Sequence, residues 1–292
     1  MATHEAGRRL PPAGDRPTFL ELFFDLVYVF ALTRISVRSF EDLALETGGA
    51  RGWGAVTGGA KTLLLLLALW AVWQGTSWTT SRYDPHHAWL QAVVITALVA
   101  SMVMGVAITR AFTVTGLMFA VAYVAAQLSR PLILLLALSS HPYRRLNLRM
   151  LLVYSATGTL WIIGAFVPTN PRVLLWTTAL AAEYLAARFG WPVPGLGRST
   201  VSRWDIAGEH LAERYQQFFL VALGETILVA GLAYSEGPYG GGHTIAFALA
   251  LATSIVLWRI YVQRAGQILA EAVTRPASAG PRPTPTWSWW SG

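Results

Sequence analysis

The sequence predicts an all-α integral membrane protein, a polytopic bundle of about eight transmembrane helices with both termini cytoplasmic. Three observations carry that expectation. Over 292 residues, 54% of positions are hydrophobic and only 13% are charged, about half the charge of an average soluble domain. The apolar residues fall in solid blocks of near 20 residues, long enough to cross a hydrocarbon layer of ~30 Å at 1.5 Å per residue. The basic residues distribute unevenly between the segments that join those blocks. Low charge also argues against a disordered chain, and the absence of cysteine excludes disulfide scaffolds, iron–sulfur clusters and thiolate metal sites. The net charge of +7 does not point to nucleic acid. All basic residues but Lys61 are arginine, and they are scattered as membrane topology would scatter them.

The eight blocks are Phe19–Val37, Ala55–Ser77, Ala88–Thr109, Ala111–Leu138, Met150–Val167, Val173–Arg188, Tyr215–Tyr234 and Thr244–Val262. Each reads as helix, because hydrocarbon offers no water to irregular backbone, and a β-barrel would show short alternating segments instead. The third and fourth blocks are nearly contiguous and predict a tight hairpin at Thr109–Arg110. In the fourth, Arg130–Pro131 should kink or break the helix, because proline lacks an amide donor. Domain organisation follows: a polar cytoplasmic segment over 1–18, a transmembrane domain over 19–264, and a Pro- and Trp-rich low-complexity tail over 272–292. The first block holds Glu21 and Asp25 and is followed by no small-residue cleavage site, unlike a signal peptide. With the N-terminus inside, 13 basic residues fall on the cytoplasmic side and 6 outside, the bias expected of a bacterial inner-membrane protein with an even number of spans.

The functional expectation comes from charges placed where they are costly. An ionisable side chain at mid-bilayer costs at least ~2.5–3.5 kcal/mol on insertion scales, so each needs a partner, a water cavity or a task. At 1.5 Å per residue, Asp25 lies roughly 9 Å past Phe19, Arg130 about 12 Å from Leu138, Glu183 ~8 Å from Arg188 and Glu225 about 15 Å from Tyr215. All four fall in the cytoplasmic half or at the midplane. Glu21 and Asp25 share one helix face. Glu209 with Glu213, and His210 with Arg214, form two adjacent stripes at the approach to the seventh helix. The expectation is a hydrated polar pocket in which Arg130 and Arg214 neutralise Asp25, Glu225 or Glu21. Glu21 and Glu183 lie close enough to the membrane surface to reach it by extending toward water. The ion-pathway candidates are therefore Glu21, Asp25, Arg130, Glu183, His210, Glu213, Arg214 and Glu225.

Other patterns give less. Glu209, His210 and Glu213 could offer nitrogen and oxygen ligands to a metal, but a salt-bridged helix start explains them as well, and the zincin pattern is absent. Asp84–Pro85–His86–His87 reads as a cytoplasmic turn. Gly237–Gly242 lacks the strand context of a phosphate loop. No cofactor motif is present. Tryptophans at 53, 70, 73, 78, 89, 176, 191 and 258 fall near block ends, where interfacial anchoring places them.

Three segments resemble the bacterial low temperature requirement protein A family: Phe19-Leu-Glu-Leu-Phe-Phe-Asp-Leu-Val-Tyr-Val-Phe-Ala-Leu-Thr33; Trp70-Ala-Val-Trp73 followed by Ser81-Arg-Tyr-Asp84; and Gly197-Arg-Ser199, then Trp204 to Arg214 with its His-x-x-Glu-Arg box, then Ala222-Leu-Gly-Glu-Thr-Ile-Leu228. In order, they cover roughly residues 16–265. The resemblance implies a multi-pass inner-membrane protein and carries over Glu21, Asp25, Arg82, Asp84, His210, Glu213, Arg214, Gly224 and Glu225. Longer family members continue with further apolar spans where this chain turns into its Pro/Trp-rich tail; truncation or a frame change near Thr274 would account for that. Three activities fit these residues: a carrier or channel for protons, cations or a small solute with no catalytic group; a metal-dependent membrane enzyme at His210 and Glu213; and a structural or sensory protein whose charges only fix helix packing.

Overall fold

The computed structural model describes residues 18–47, 53–84, 86–138, 143–199, 208–237 and 240–273, with side chains described outside 39–47, 53–55, 208–209 and 262–273. The side chain of Glu209, most of the N-terminal segment and most of the C-terminal tail therefore lie outside what the structure describes. Each of the eight apolar blocks is a helix: α1 (Phe19–Thr47), α2 (Trp53–Thr80), α3 (Ala88–Ala107), α4 (Gly116–Ala137), α5 (Arg144–Phe166), α6 (Thr169–Arg188), α7 (Gly208–Glu236) and α8 (Gly241–Val273). No strand occurs among the described residues, only an isolated bridge between Val193 and Gly197. The protein is a polytopic helical membrane protein.

Most helices outrun the apolar blocks that announce them. α1 continues ten residues past Val37, and α7 begins seven before Tyr215, because a helix that leaves hydrocarbon can go on with its polar groups in water or against protein. Six helices contain a segment long and apolar enough to span a membrane: Val56–Thr80, Ala88–Arg110, Gly116–Ala137, Arg144–Phe166, His210–Glu236 and Gly241–Tyr261. α1 and α6 fall outside that set because Glu21, Asp25, Arg34 and Arg38 interrupt the first, and Arg172, Glu183 and Arg188 the second. Of the two outcomes expected at Pro131, a break does not occur, and α4 continues through it; proline removes a single donor to the preceding turn. The hairpin between α3 and α4 is tight as expected, a 3₁₀ turn over Ile108–Arg110 and then a short turn to Gly116.

The chain divides into two compact units, residues up to Ala222 and residues from Leu223. In the first, α1 packs between α2 and α3, α4 between α3 and α5, and α6 against both α5 and α2. Its core is aromatic: Trp73, Trp161, Trp176, Tyr28, Tyr123, Phe24 and Phe119 are fully buried. Trp73 and Trp176 thus depart from the interfacial placement expected of them. Each has an indole N–H with a buried acceptor, Asp25 for Trp73 and the Trp161 carbonyl, at 2.9 Å, for Trp176. Outward-facing positions are equally apolar, among them Leu63, Ile95, Val99, Val121, Leu152 and Ile163; a lipid solvent accepts such a surface and water would not.

Arg172, at the start of α6, closes one end of this unit. Its guanidinium donates to the carbonyls of Gly164, Ala165 and Val167 at the end of α5 and of Ala111 and Thr113 in the α3–α4 turn, at 3.0–3.4 Å. These carbonyls have no intrahelical donor, and a cation there also meets the negative end of the α5 dipole. Where α1 crosses α3, a Cβ on Gly105 would approach the Ala31 Cα to 3.0 Å, so the two backbones touch. Gly105→Val is expected to lower stability by about 1–3 kcal/mol through overpacking, read as a lower thermal midpoint in detergent; an unchanged midpoint would mean α1 and α3 are not in this contact.

Candidate functional site

Three helices each turn one stripe of polar side chains toward a common point in the first unit. On α1 the stripe is Glu21, Asp25 and Tyr28; on α2 it is Trp73, Ser77 and Ser81 just beyond the helix end; on α7 it is His210 and Arg214. Spacings of three and four place each set on one face. The side chains meet out of contact with solvent: Asp25 and Arg214 are 0% exposed, Glu21 and His210 1%.

The tightest contact is that of Arg214 Nη2 with Asp25 Oδ1, at 2.9 Å. Trp73 Nε1 donates to the same oxygen at 2.9 Å, and Arg214 Nη2 also reaches Ser77 Oγ at 3.4 Å. Glu21 sits one turn earlier. Its Oε1 is 3.8 Å from Arg214 Nε, its Oε2 is 3.5 Å from His210 Nε2, and Oε2 also accepts from the Thr18 amide and hydroxyl at 2.8 and 3.0 Å. The other ring nitrogen of His210 is held by Ser81 Oγ at 3.0 Å. Two carboxylates thus share one guanidinium, and a histidine completes the group. Asp25 Oδ2, Glu21 Oε1, Arg214 Nη1 and Tyr28 Oη are buried without a hydrogen-bond partner among the described residues; such groups are rare in folded proteins and need a reason.

An aromatic wall backs this cluster. Trp73 stacks on Trp70 with centroids 5.1 Å apart and meets Tyr215 and Phe218 at 5.0 and 4.4 Å, while Phe218 meets Tyr28 at 5.6 Å. Rings on this side exclude water, lower the local dielectric and strengthen the attraction between Asp25 and Arg214.

Arg130 does not join this cluster, which corrects the expectation that it neutralises Asp25 or Glu21. It is 3% exposed on α4 and donates from Nη2 to Gln127 Oε1 at 2.9 Å and Tyr154 Oη at 3.0 Å. Its guanidinium is pressed onto Gly75 of α2, where any Cβ would collide with it. The α4 face that carries Arg130 also carries Tyr123 and Gln127, and Glu183 of α6 is the end of their network: Tyr123 Oη donates to Glu183 Oε2 in a very short contact, and Trp161 Nε1 donates to Glu183 Oε1 at 3.3 Å. At 1% and 4% exposed, neither Glu21 nor Glu183 extends to the membrane surface as expected; neighbouring hydrogen-bond donors make it unnecessary.

Glu225 lies in the second unit, half-buried on α7 next to Thr226, whose hydroxyl is 3.3 Å from Ser254 Oγ of α8. Glu213 is half-buried beside Arg214 in the chain. Both ring nitrogens of His210 face Ser81 and Glu21 rather than Glu213, and among the described residues no three His, Asp or Glu side chains gather as a metal would require. The Asp84 turn is as expected: Asp84 Oδ1 accepts from the His86 amide at 3.0 Å, and His87 stacks on Trp89. Sequence reasoning missed Trp73, Ser77 and Ser81, which were visible as an i, i+4, i+8 stripe. It also missed Tyr123 and Gln127, which precede Arg130 by seven and three residues.

The sequence model of the family described as bacterial low temperature requirement A protein matches residues 16–290. A relative from Rhizobium meliloti (strain 1021), the uncharacterized protein RA0937, is 34% identical over 263 residues, which make up 88% of this chain and 60% of the relative. The chain thus spans well under two thirds of the relative's length. No solved structure matches.

Trp73→Phe removes the indole donor, which leaves Asp25 Oδ1 with one partner fewer, and it also puts a smaller ring in the aromatic wall. The expected cost is on the order of 1–3 kcal/mol, measured by thermal unfolding in detergent. A neutral result would mean that the Trp73–Asp25 hydrogen bond is not made.

Proposed function

From the premise that the chain belongs to the bacterial low temperature requirement A family, we propose that it is a proton- or cation-conducting protein of the bacterial inner membrane. Its exchange station is the cluster of Glu21, Asp25, His210 and Arg214. The observation that carries this reading is the inequality of charge: two buried carboxylates face one guanidinium. With His210 neutral the group holds one uncompensated negative charge in a low-dielectric site, which a proton or a monovalent cation would neutralise. Asp25 is the fixed partner, held by Arg214 and Trp73. Glu21 and His210 meet more loosely, at 3.5 Å, and are the pair between which a proton can move. The unpaired atoms Asp25 Oδ2, Glu21 Oε1, Arg214 Nη1 and Tyr28 Oη supply both acceptors and donors to a small polar species.

Placement supports the same reading. The distribution of basic residues favours both chain termini in the cytoplasm, and Glu21, near the start of α1, then belongs to the inner half of the membrane. Glu225, on α7 in the second unit, is a further candidate carboxylate, and Glu213 stands at the cytoplasmic approach to α7. The lipid bilayer is the partner of the apolar outer faces.

In liposomes loaded with a pH-sensitive dye, the protein is expected to dissipate an imposed pH gradient. Glu21→Gln and His210→Gln should slow the decay at least about tenfold, the effect of about 1.4 kcal/mol on a rate, and Glu225→Gln reports whether that carboxylate shares the route. Decay in all variants equal to wild type, or wild type equal to protein-free liposomes for protons, sodium and potassium alike, would leave the cluster as a packing device.

A further inference from the structure

The network on α4, α5 and α6 is separate from that station, and its hydrogen bonds all point one way. Arg130 Nη2 donates to Gln127 Oε1 at 2.9 Å, Gln127 Nε2 donates to Tyr123 Oη at 3.0 Å, and Tyr123 Oη donates to Glu183 Oε2. The direction is forced. A guanidinium can only donate, so the Gln127 oxygen must face it and the Gln127 amide nitrogen must face Tyr123. Tyr123 then has its proton left for the carboxylate. Glu183 receives a second donor from Trp161 Nε1 and forms no ion pair among the described residues. Its positive counterpart is Arg130, two neutral side chains away. Every group between them is buried: Tyr123 0%, Gln127 3%, Arg130 3% and Glu183 4% exposed.

We propose that Glu183 is a second proton-binding site of this protein, its charge set by Arg130 acting through Gln127 and Tyr123. The argument is geometric. A carboxylate that only accepts hydrogen bonds, with a cation polarising the chain of donors that reaches it, is arranged to exist as an anion. Removed from water, it is equally arranged to gain from a proton. Each carboxylate oxygen has two lone pairs, and Tyr123 and Trp161 take one on each. A proton from water therefore adds to a remaining lone pair, turning the carboxylate into a neutral acid without breaking either hydrogen bond. The groups beside Glu183 are Tyr123 and Gln127 from α4, Tyr154, Thr157 and Trp161 from α5, and its neighbour Tyr184 on α6, whose hydroxyl is tied to the Leu67 carbonyl of α2. Arg130 does not touch Glu183 and reaches it through Gln127 and Tyr123. It is a positioning residue for the site, and Gly75 of α2 leaves it room: a methyl there would occupy the space of its guanidinium.

The test is infrared difference spectroscopy of purified protein in lipid nanodiscs across a pH series. A component of the carboxylic-acid band that grows with acidification is expected in wild type and missing in Glu183→Gln. Gln127→Leu cuts the bridge while leaving both charged groups in place. The proton should then be taken up at a pH higher by about one unit or more, because the cation no longer supports the anion. Gly75→Ala, which displaces Arg130, should shift it the same way. Glu21→Gln should leave the band and its midpoint unchanged, which separates this site from the first station whether or not that station conducts. If Glu183→Gln does not fold, Tyr123→Phe, which loses one oxygen, must still move the midpoint. A band indifferent to Glu183→Gln, or a midpoint unmoved by Gln127→Leu and Tyr123→Phe alike, overturns the proposal.

Discussion

A carboxylate and a guanidinium removed from water among aromatic rings are stabilised in their charged forms by meeting each other. Asp25 and Arg214 are 189 residues apart in the chain and 2.9 Å apart in space, and that distance fixes where α1 and the start of α7 must lie. Trp73 and Ser77 of α2 complete the coordination, so three helices are positioned by one buried pair. A buried ion pair is weak evidence for stability, since well-packed apolar side chains of similar volume often do as well. The pair specifies an arrangement, and its presence is better understood as serving the excess carboxylate of Glu21 and the histidine beside it.

α2 relates the two polar networks. Its Trp73–Ser77–Ser81 face belongs to the first, and Gly75, which points elsewhere on the helix, receives Arg130 of the second. Two residues of separation on a helix turn the side chain by roughly 200°, so one stretch of α2 serves both without mixing them. In the second network neutral side chains carry the hydrogen bonds and the two charges lie at the ends, whereas in the first the charges meet directly and neutral side chains surround them. The cost of polar groups in hydrocarbon makes such economy necessary.

The helices were legible in the sequence because solvent, and not a distant partner, dictates them: hydrocarbon demands apolar blocks of a set length. Their ends were less legible. Arg34 and Arg38 of α1 look like an exit from the membrane, yet Arg38 is buried and donates to the Thr109 carbonyl at 2.8 Å. Which charges were costly was also readable, and Asp25 with Arg214 was among the pairings considered. Arg130 was assigned to the wrong partners because depth along a helix gives height and not direction, and direction depends on which neighbours α4 has. Trp73 looked interfacial for the same reason: its position along α2 is near an end, but its face looks inward.

A double-mutant cycle on Asp25→Asn and Arg214→Gln, followed by reversible unfolding in detergent, tests the central pair most directly. Each single change strands a buried partner and should cost about 3–5 kcal/mol, while the double variant should cost little more than the worse single one. Losses that add to within about 0.3–0.5 kcal/mol would show two independent residues, and the first helix and the seventh would then not be joined through this contact.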